Sequence, residues 1–171
     1  LYPGAKFIPG YEVANSLTFS SSDDSLSKTY SSSGNTKTWT LSTWVKRSNI
    51  DTSQNQKIFG TNYTSLSEFM VILNNDGTDE DKINILNYTG GGGAIQANAT
   101  TARVFRDPSA WFHLLVRCDT TNSTQADRIQ LWINGSRVTS FATENLTGSG
   151  TEFGINRNVD HRIGERPGGS N

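Results

Sequence analysis

The sequence predicts an all-β protein, a sandwich of two antiparallel sheets, on three observations. Apolar residues recur at a period of two in runs such as Phe112-His-Leu-Leu-Val-Arg-Cys118 and Ile129-Gln-Leu-Trp-Ile133, the side-chain period of a half-buried strand. Asn134-Gly135 stands between two such runs, and this dipeptide suits a two-residue type I′ turn because both positions take positive φ. No stretch of helical length carries a 3.6-residue apolar period. An apolar content of 33% with 16 glycines fits short strands joined by many polar turns better than helices.

Taken in order, the first fifteen residues hold Pro3, Gly4, Pro9 and Gly10 and read as an extended arm. Strands are expected at 16–19, 25–30, 38–47, 57–61, 69–74, 82–88, 94–99, 111–119, 128–133 and 136–141, with turn residues between them. The run 38–47 puts Trp39, Leu41, Thr43 and Val45 on one face and Thr40, Ser42, Trp44 and Lys46 on the other, so both faces carry a tryptophan. Such a strand is expected in the middle of a sheet, or with its outer face covered by a loop or a partner. In the hairpin, the turn sets Ile133 opposite Ser136, Trp132 opposite Arg137 and Leu131 opposite Val138. Ile129, Leu131, Ile133 and Val138 then face a core, and Trp132 with Arg137 on the other side is expected to form a cation–π pair. No shift of composition divides the 171 residues, so one domain over 16–171 follows the arm of 1–15.

Composition narrows the function. A formal net charge of −1 with scattered basic residues gives no electrostatic footprint for nucleic acid. No apolar run reaches the roughly 18 residues of a membrane span, so no membrane insertion is expected. Cys118 stands alone, which excludes an internal disulfide, and its phase with Phe112, Leu114 and Val116 makes it a buried, inert thiol. His113 alternates with the apolar face of its strand and His161 lies in an Arg-rich tail; neither has a signature catalytic partner nearby in sequence.

Asp76, Asp79, Glu80 and Asp81 crowd the loop 74–82 and offer the oxygen chemistry that Ca²⁺ takes, with Asp76, Asp79 and Asp81 as candidate ligands. Asp76-Gly77 is also an ordinary turn dipeptide, and the spacing does not match the twelve-residue calcium loop, so no cofactor is expected and Ca²⁺ stands as the alternative. A glycosidase needs two carboxylates about 5–9 Å apart across a cleft. Here the carboxylates fall in predicted loops and no strand carries them in alternation, which disfavours hydrolysis. Trp44, Tyr63, Tyr88 and Trp132, with Arg137, are the candidate ligand-binding residues, able to stack on a sugar ring or fill a protein interface.

Five segments in this order resemble a known family: Asn15-Ser-Leu-Thr-Phe19, Ser33-Gly-Asn-Thr-Lys-Thr-Trp-Thr-Leu-Ser-Thr-Trp-Val-Lys-Arg47, Arg106-Asp-Pro-Ser-Ala-Trp-Phe-His113, Asp119-Thr-Thr121 and Ile133-Asn-Gly135. Together they resemble the concanavalin A-like, laminin G-like jelly-roll proteins of tailed phages, marine ones especially, over nearly the whole chain. The Lys-Thr-Trp-Thr to Trp-Val-Lys-Arg stretch points to the phage group. The resemblance implies a jelly roll without enzyme activity on the surface of a virion: a decoration, fibre or tail-associated subunit. Its partners would be other virion proteins or copies of itself. The alternative is a glycan-binding adhesin for the host surface, acting through loops 74–82, 88–94 and 143–151. One departure stands out. Such domains close with a further strand after a turn like Ile163-Gly164, whereas here Arg166-Pro-Gly-Gly-Ser170 follows, so either a longer parent chain or a subunit contact is expected to complete that edge.

Overall fold

The computed structural model describes residues 15–19, 24–50, 54–61, 67–75, 77–89, 93–145 and 147–165. The expected arm therefore lies almost wholly outside the described residues. Eleven strands are described: β1 (Leu26–Thr29), β2 (Thr38–Val45), β3 (Gln56–Thr61), β4 (Ser67–Leu73), β5 (Lys82–Thr89), β6 (Ile95–Val104), β7 (Phe112–Asp119), β8 (Ile129–Ile133), β9 (Ser136–Arg137), β10 (Phe141–Asn145) and β11 (Asp160–Ile163). They form two antiparallel sheets. One has seven strands in the order β1-β11-β3-β4-β5-β6-β10, the other four in the order β2-β7-β8-β9.

The expected sandwich is what forms, and its core follows the period of two. Phe69, Val71, Leu73, Ile83 and Ile85 of the large sheet meet Trp39, Phe112, Leu114, Val116, Cys118, Leu131 and Ile133 of the small one. Trp39 lies edge-on to Phe69 and Phe153, with ring centroids 4.9 and 5.4 Å away. The hairpin has the predicted register, Trp132 opposite Arg137 and Ile133 opposite Ser136, with φ of 50° at Asn134 and 76° at Gly135. The Asn134 side chain also accepts the His113 N–H at 2.8 Å, tying the turn to β7.

Two expected strands differ for physical reasons, one pair of alternatives is decided, and one strand appears that was not expected. Residues 16–19 form no strand; Leu17 is exposed, and Phe19 rests its ring against Gly164 instead of joining a ladder. The expected strand 136–141 is two, because after two residues the chain leaves the small sheet and pairs as β10 with β6 of the large one. Of the two alternatives for β2, the central position is not the one found: among the described residues β2 lies at the edge of its sheet, with Trp44 exposed on its outer face. β11 was not foreseen: its four residues, Asp-His-Arg-Ile, carry too little apolar pattern to announce a strand, yet they lie between β1 and β3. The strand expected after Ile163-Gly164 falls in 166–171, outside the described residues.

A non-strand segment completes the core. Phe153 is fully buried, and its N–H donates to Thr36 O at 3.1 Å. A Cβ on Gly154 would meet the Phe69 backbone nitrogen at 2.8 Å, so only glycine lets this segment press against β4.

The two sheets are also joined by charge. Arg47, just past β2, is buried and donates through Nη1 to Asp81 at 2.5 Å and to Phe105 O at 2.6 Å, and through Nε to Gln56 at 2.9 Å. Arg106 takes the other Asp81 oxygen at 2.5 Å. Asp81 sits in the β4–β5 connection with φ of 62°, where its N–H donates to Asn74 O and its carbonyl accepts the Phe105 N–H. Burial by itself raises the Asp81 pKa, but the hydrogen bonds and charges of Arg106 and Arg47 outweigh it and hold the carboxyl below its ordinary 3.8.

Breaking a buried pair from one side strands a charge, so Asp81→Asn is expected to cost about 3–5 kcal/mol in a denaturant titration. Because the folded-state value is the lower one, the clasp contributes fully above pH 3.8 and is lost as the pH falls below it. Asp81→Asn should flatten that part of the acid limb. His161 titrates in a separate window. Its Nε2 accepts the Asn156 N–H at 3.0 Å, so the proton is on Nδ1, which donates to Val159 O at 2.8 Å. Burial lowers its pKa from 6.5, so wild-type stability should begin to decline as the pH falls below that value, and His161→Gln should remove this earlier decline.

Candidate functional site

Alternation on the small sheet sends Trp39, Leu41, Leu114, Val116, Leu131 and Ile133 inward and leaves Ser42, Trp44, His113, Leu115, Trp132 and Arg137 on the outer face. Cross-strand register sets them in rows. Trp44 is opposite His113; Ser42 is opposite Leu115, which is opposite Trp132, which is opposite Arg137. Trp44 is 59% exposed, a high value for the largest apolar side chain, and its ring lies 5.3 Å from that of His113.

The His113 ring is fixed by Ser42, whose Oγ is 2.8 Å from Nε2. These residues are 71 apart in sequence, so the pairing was invisible without the strand register. A hydroxyl–imidazole pair is half of a nucleophilic site, but no carboxylate is described as bonded to His113 to orient it. The pair holds the ring beside Trp44.

A polar network borders the aromatic rows. Asp127 accepts from Gln130 Nε2 at 2.8 Å and from Arg137 at 3.0 Å, and Gln130 accepts from Arg117 at 2.8 Å. The Arg137 hydrogen bond, then that of Gln130, lowers the Asp127 pKa. This corrects the expected cation–π pair: the Arg137 guanidinium goes to Asp127 and not to the Trp132 ring. The cation–π contact found is Arg103 over Phe105, 5.2 Å from the ring centroid.

Of the candidate ligand-binding residues, Trp44, Trp132 and Arg137 thus share one face. Tyr88 does not join them; it packs, partly buried, on Met70, Ile72 and Leu86 of the large sheet. Tyr63 lies outside the described residues, as does Asp76. The remaining candidate metal ligands have other partners. Asp81 gives both oxygens to arginine, and Asp79 is 3.0 Å from Lys82 Nζ. Among the described residues no group of three metal-ligating side chains comes together, and the charge-compensated Asp79 and Asp81 do not fit a Ca²⁺ site. Cys118 is buried, and burial, then the Asp119 charge, pushes its pKa up to about 12, a thiol held protonated.

Residues 20–171 match the family model described as the concanavalin A-like lectin/glucanases superfamily. No curated protein matches the chain.

The two central tryptophans of β2 should separate cleanly in a denaturation series. Trp39→Ala, emptying the core, is expected to cost about 3–5 kcal/mol. Trp44→Ala, on the open face, is expected to change stability by no more than about 0.5 kcal/mol.

Proposed function

The chain belongs to the concanavalin A-like lectin/glucanases superfamily, and from that footing we propose that it is a non-catalytic attachment subunit of a phage particle. It acts on the virion surface, held to other virion proteins or to copies of itself through the outer face of its small sheet. The observation that carries the reading is the exposed Trp44 beside His113, with Leu115 and Trp132 in the adjoining row. Aromatic side chains of this kind dominate protein interfaces because they bury large area at little entropic cost. A particle repeats the subunit many times, so a modest contact per copy gives firm attachment overall. The phage assignment draws on the order of the segments described above and on the stretch from Lys37-Thr-Trp-Thr40 to Trp44-Val-Lys-Arg47 in particular.

A non-catalytic role agrees with the placement of the carboxylates. Asp79 and Asp81 are neutralised by Lys82, Arg47 and Arg106, and Asp127 is turned to Arg137, so none of these three is an unpaired acid facing another across a cleft. A second reading, a glycan-binding adhesin, draws on the planar Gln130, Asp127 and Arg137 groups beside Trp132, since a stacking ring flanked by such groups suits a sugar.

The test offers the purified protein to virus particles that lack it and to intact host cells, with and without free sugars. Saturable attachment to particles, weakened at least tenfold by Trp44→Ala, is the expected result. Attachment to cells alone, abolished by free sugar, would replace the structural role with the adhesin, and attachment to neither would overturn both.

A further inference from the structure

Where the chain crosses from β9 to β10 the sandwich has an open mouth. A cleft of about 220 Å³ lies there between the end of β6 and the hairpin, lined among others by Arg103, Phe105, Ile133, Arg137, Val138 and Ser140. Phe105 and Ile133 are core residues, 6% and 3% exposed, so the apolar core itself forms the floor. Ser140 O accepts the Ala102 N–H at 3.2 Å and closes one side. A cavity of about 150 Å³ already admits a benzene ring, so this cleft accommodates one apolar side chain.

Its rim is cationic. Arg103 is exposed, lies over the Phe105 ring, and forms no ion pair among the described residues. Arg137 stands at the rim with its charge shared with Asp127. An apolar floor under an uncompensated guanidinium calls for a ligand with an apolar body and an anionic group directly beside it. In an extended peptide, neighbouring side chains point to opposite faces, so an internal Leu-Asp pair does not bring both groups into one slot. A chain's last residue does, because its side chain and carboxylate leave the same Cα. The geometry points to this cleft as a binding site for the C-terminal residue of a partner polypeptide ending in an apolar side chain. The side chain enters beside Phe105, against Ile133 and Val138, and the terminal carboxylate meets Arg103, whose guanidinium lies over the Phe105 ring. The cleft adjoins the aromatic sheet face at Arg137, but the proposal rests on Arg103 with Phe105 and Ile133, which are not part of that face, so failure of either leaves the other standing.

Titration of the isotope-labelled full chain with N-acetyl-leucine, followed by backbone amide shifts in NMR, tests it. N-acetyl-leucine is expected to shift residues 101–105 and 136–140, with a dissociation constant on the order of millimolar. N-acetyl-leucinamide, which lacks the charge, and N-acetylglycine, which lacks the side chain, should each bind about tenfold more weakly. Arg103→Gln should lose the same factor, while Lys28→Gln, on β1, should lose nothing. Equal binding of acid and amide, undiminished binding by Arg103→Gln, shifts confined to other residues, or no shifts at all would each overturn the proposal.

Discussion

Arg47 and Asp81 hold together parts of the chain that the ladders alone do not connect. Arg47 follows the edge strand of the small sheet, Asp81 precedes β5 in the middle of the large sheet, and the Phe105 carbonyl stands just past β6. The Arg47 guanidinium reaches the other two from a buried position, and Arg106 balances the second carboxylate oxygen from outside. A single buried pair of this kind is a poor source of net stability, since desolvation offsets most of its attraction. Its value is geometric: it fixes how the end of β2 meets the large sheet. Trp39 can then lie against Phe69 and Phe153, while Trp44, five residues on, is left facing outward. Alternation along β2 decides which face each tryptophan takes, and the clasp fixes where that strand ends against the large sheet.

Much of the frame was legible in the sequence. The alternation of β7 and β8 and the Asn134-Gly135 turn specify register by local chemistry alone, and the structure reproduces both. What was not legible depends on contacts distant in sequence. The acidic loop read as candidate metal chemistry because Asp79 and Asp81 are near one another; the arginine that claims Asp81 is 34 residues earlier. Apolar residues on both faces of β2 left a central strand and a covered outer face equally open, since period alone does not distinguish a face covered by its own chain from one left for a partner. Phe153 is core without belonging to any strand, and a single aromatic in a Gly- and Thr-rich segment leaves no periodic trace.

The candidate site was half visible. Trp44, Trp132 and Arg137 were chosen for residue type and do share a face, whereas Tyr88, chosen on the same grounds, serves a second apolar cluster on the other sheet. His113 and Leu115 were missed because each is unremarkable until the register sets it beside a tryptophan. The resulting surface suits broad, repeated contact better than enclosure of a small molecule. The cleft beyond the hairpin differs in kind, being small, apolar at its base and rimmed by arginine. The two-sheet base thus presents one aromatic face and, beside it, one narrow mouth.

The most direct measurement is hydrogen–deuterium exchange of the protein free and mixed with the phage particles proposed to hold it. Added protection is expected to concentrate in β2, the strand at the edge of the described small sheet that carries Trp44, with lesser protection in β7 and β8. Protection confined to the large sheet, with β2 exchanging as fast as in the free protein, would contradict it.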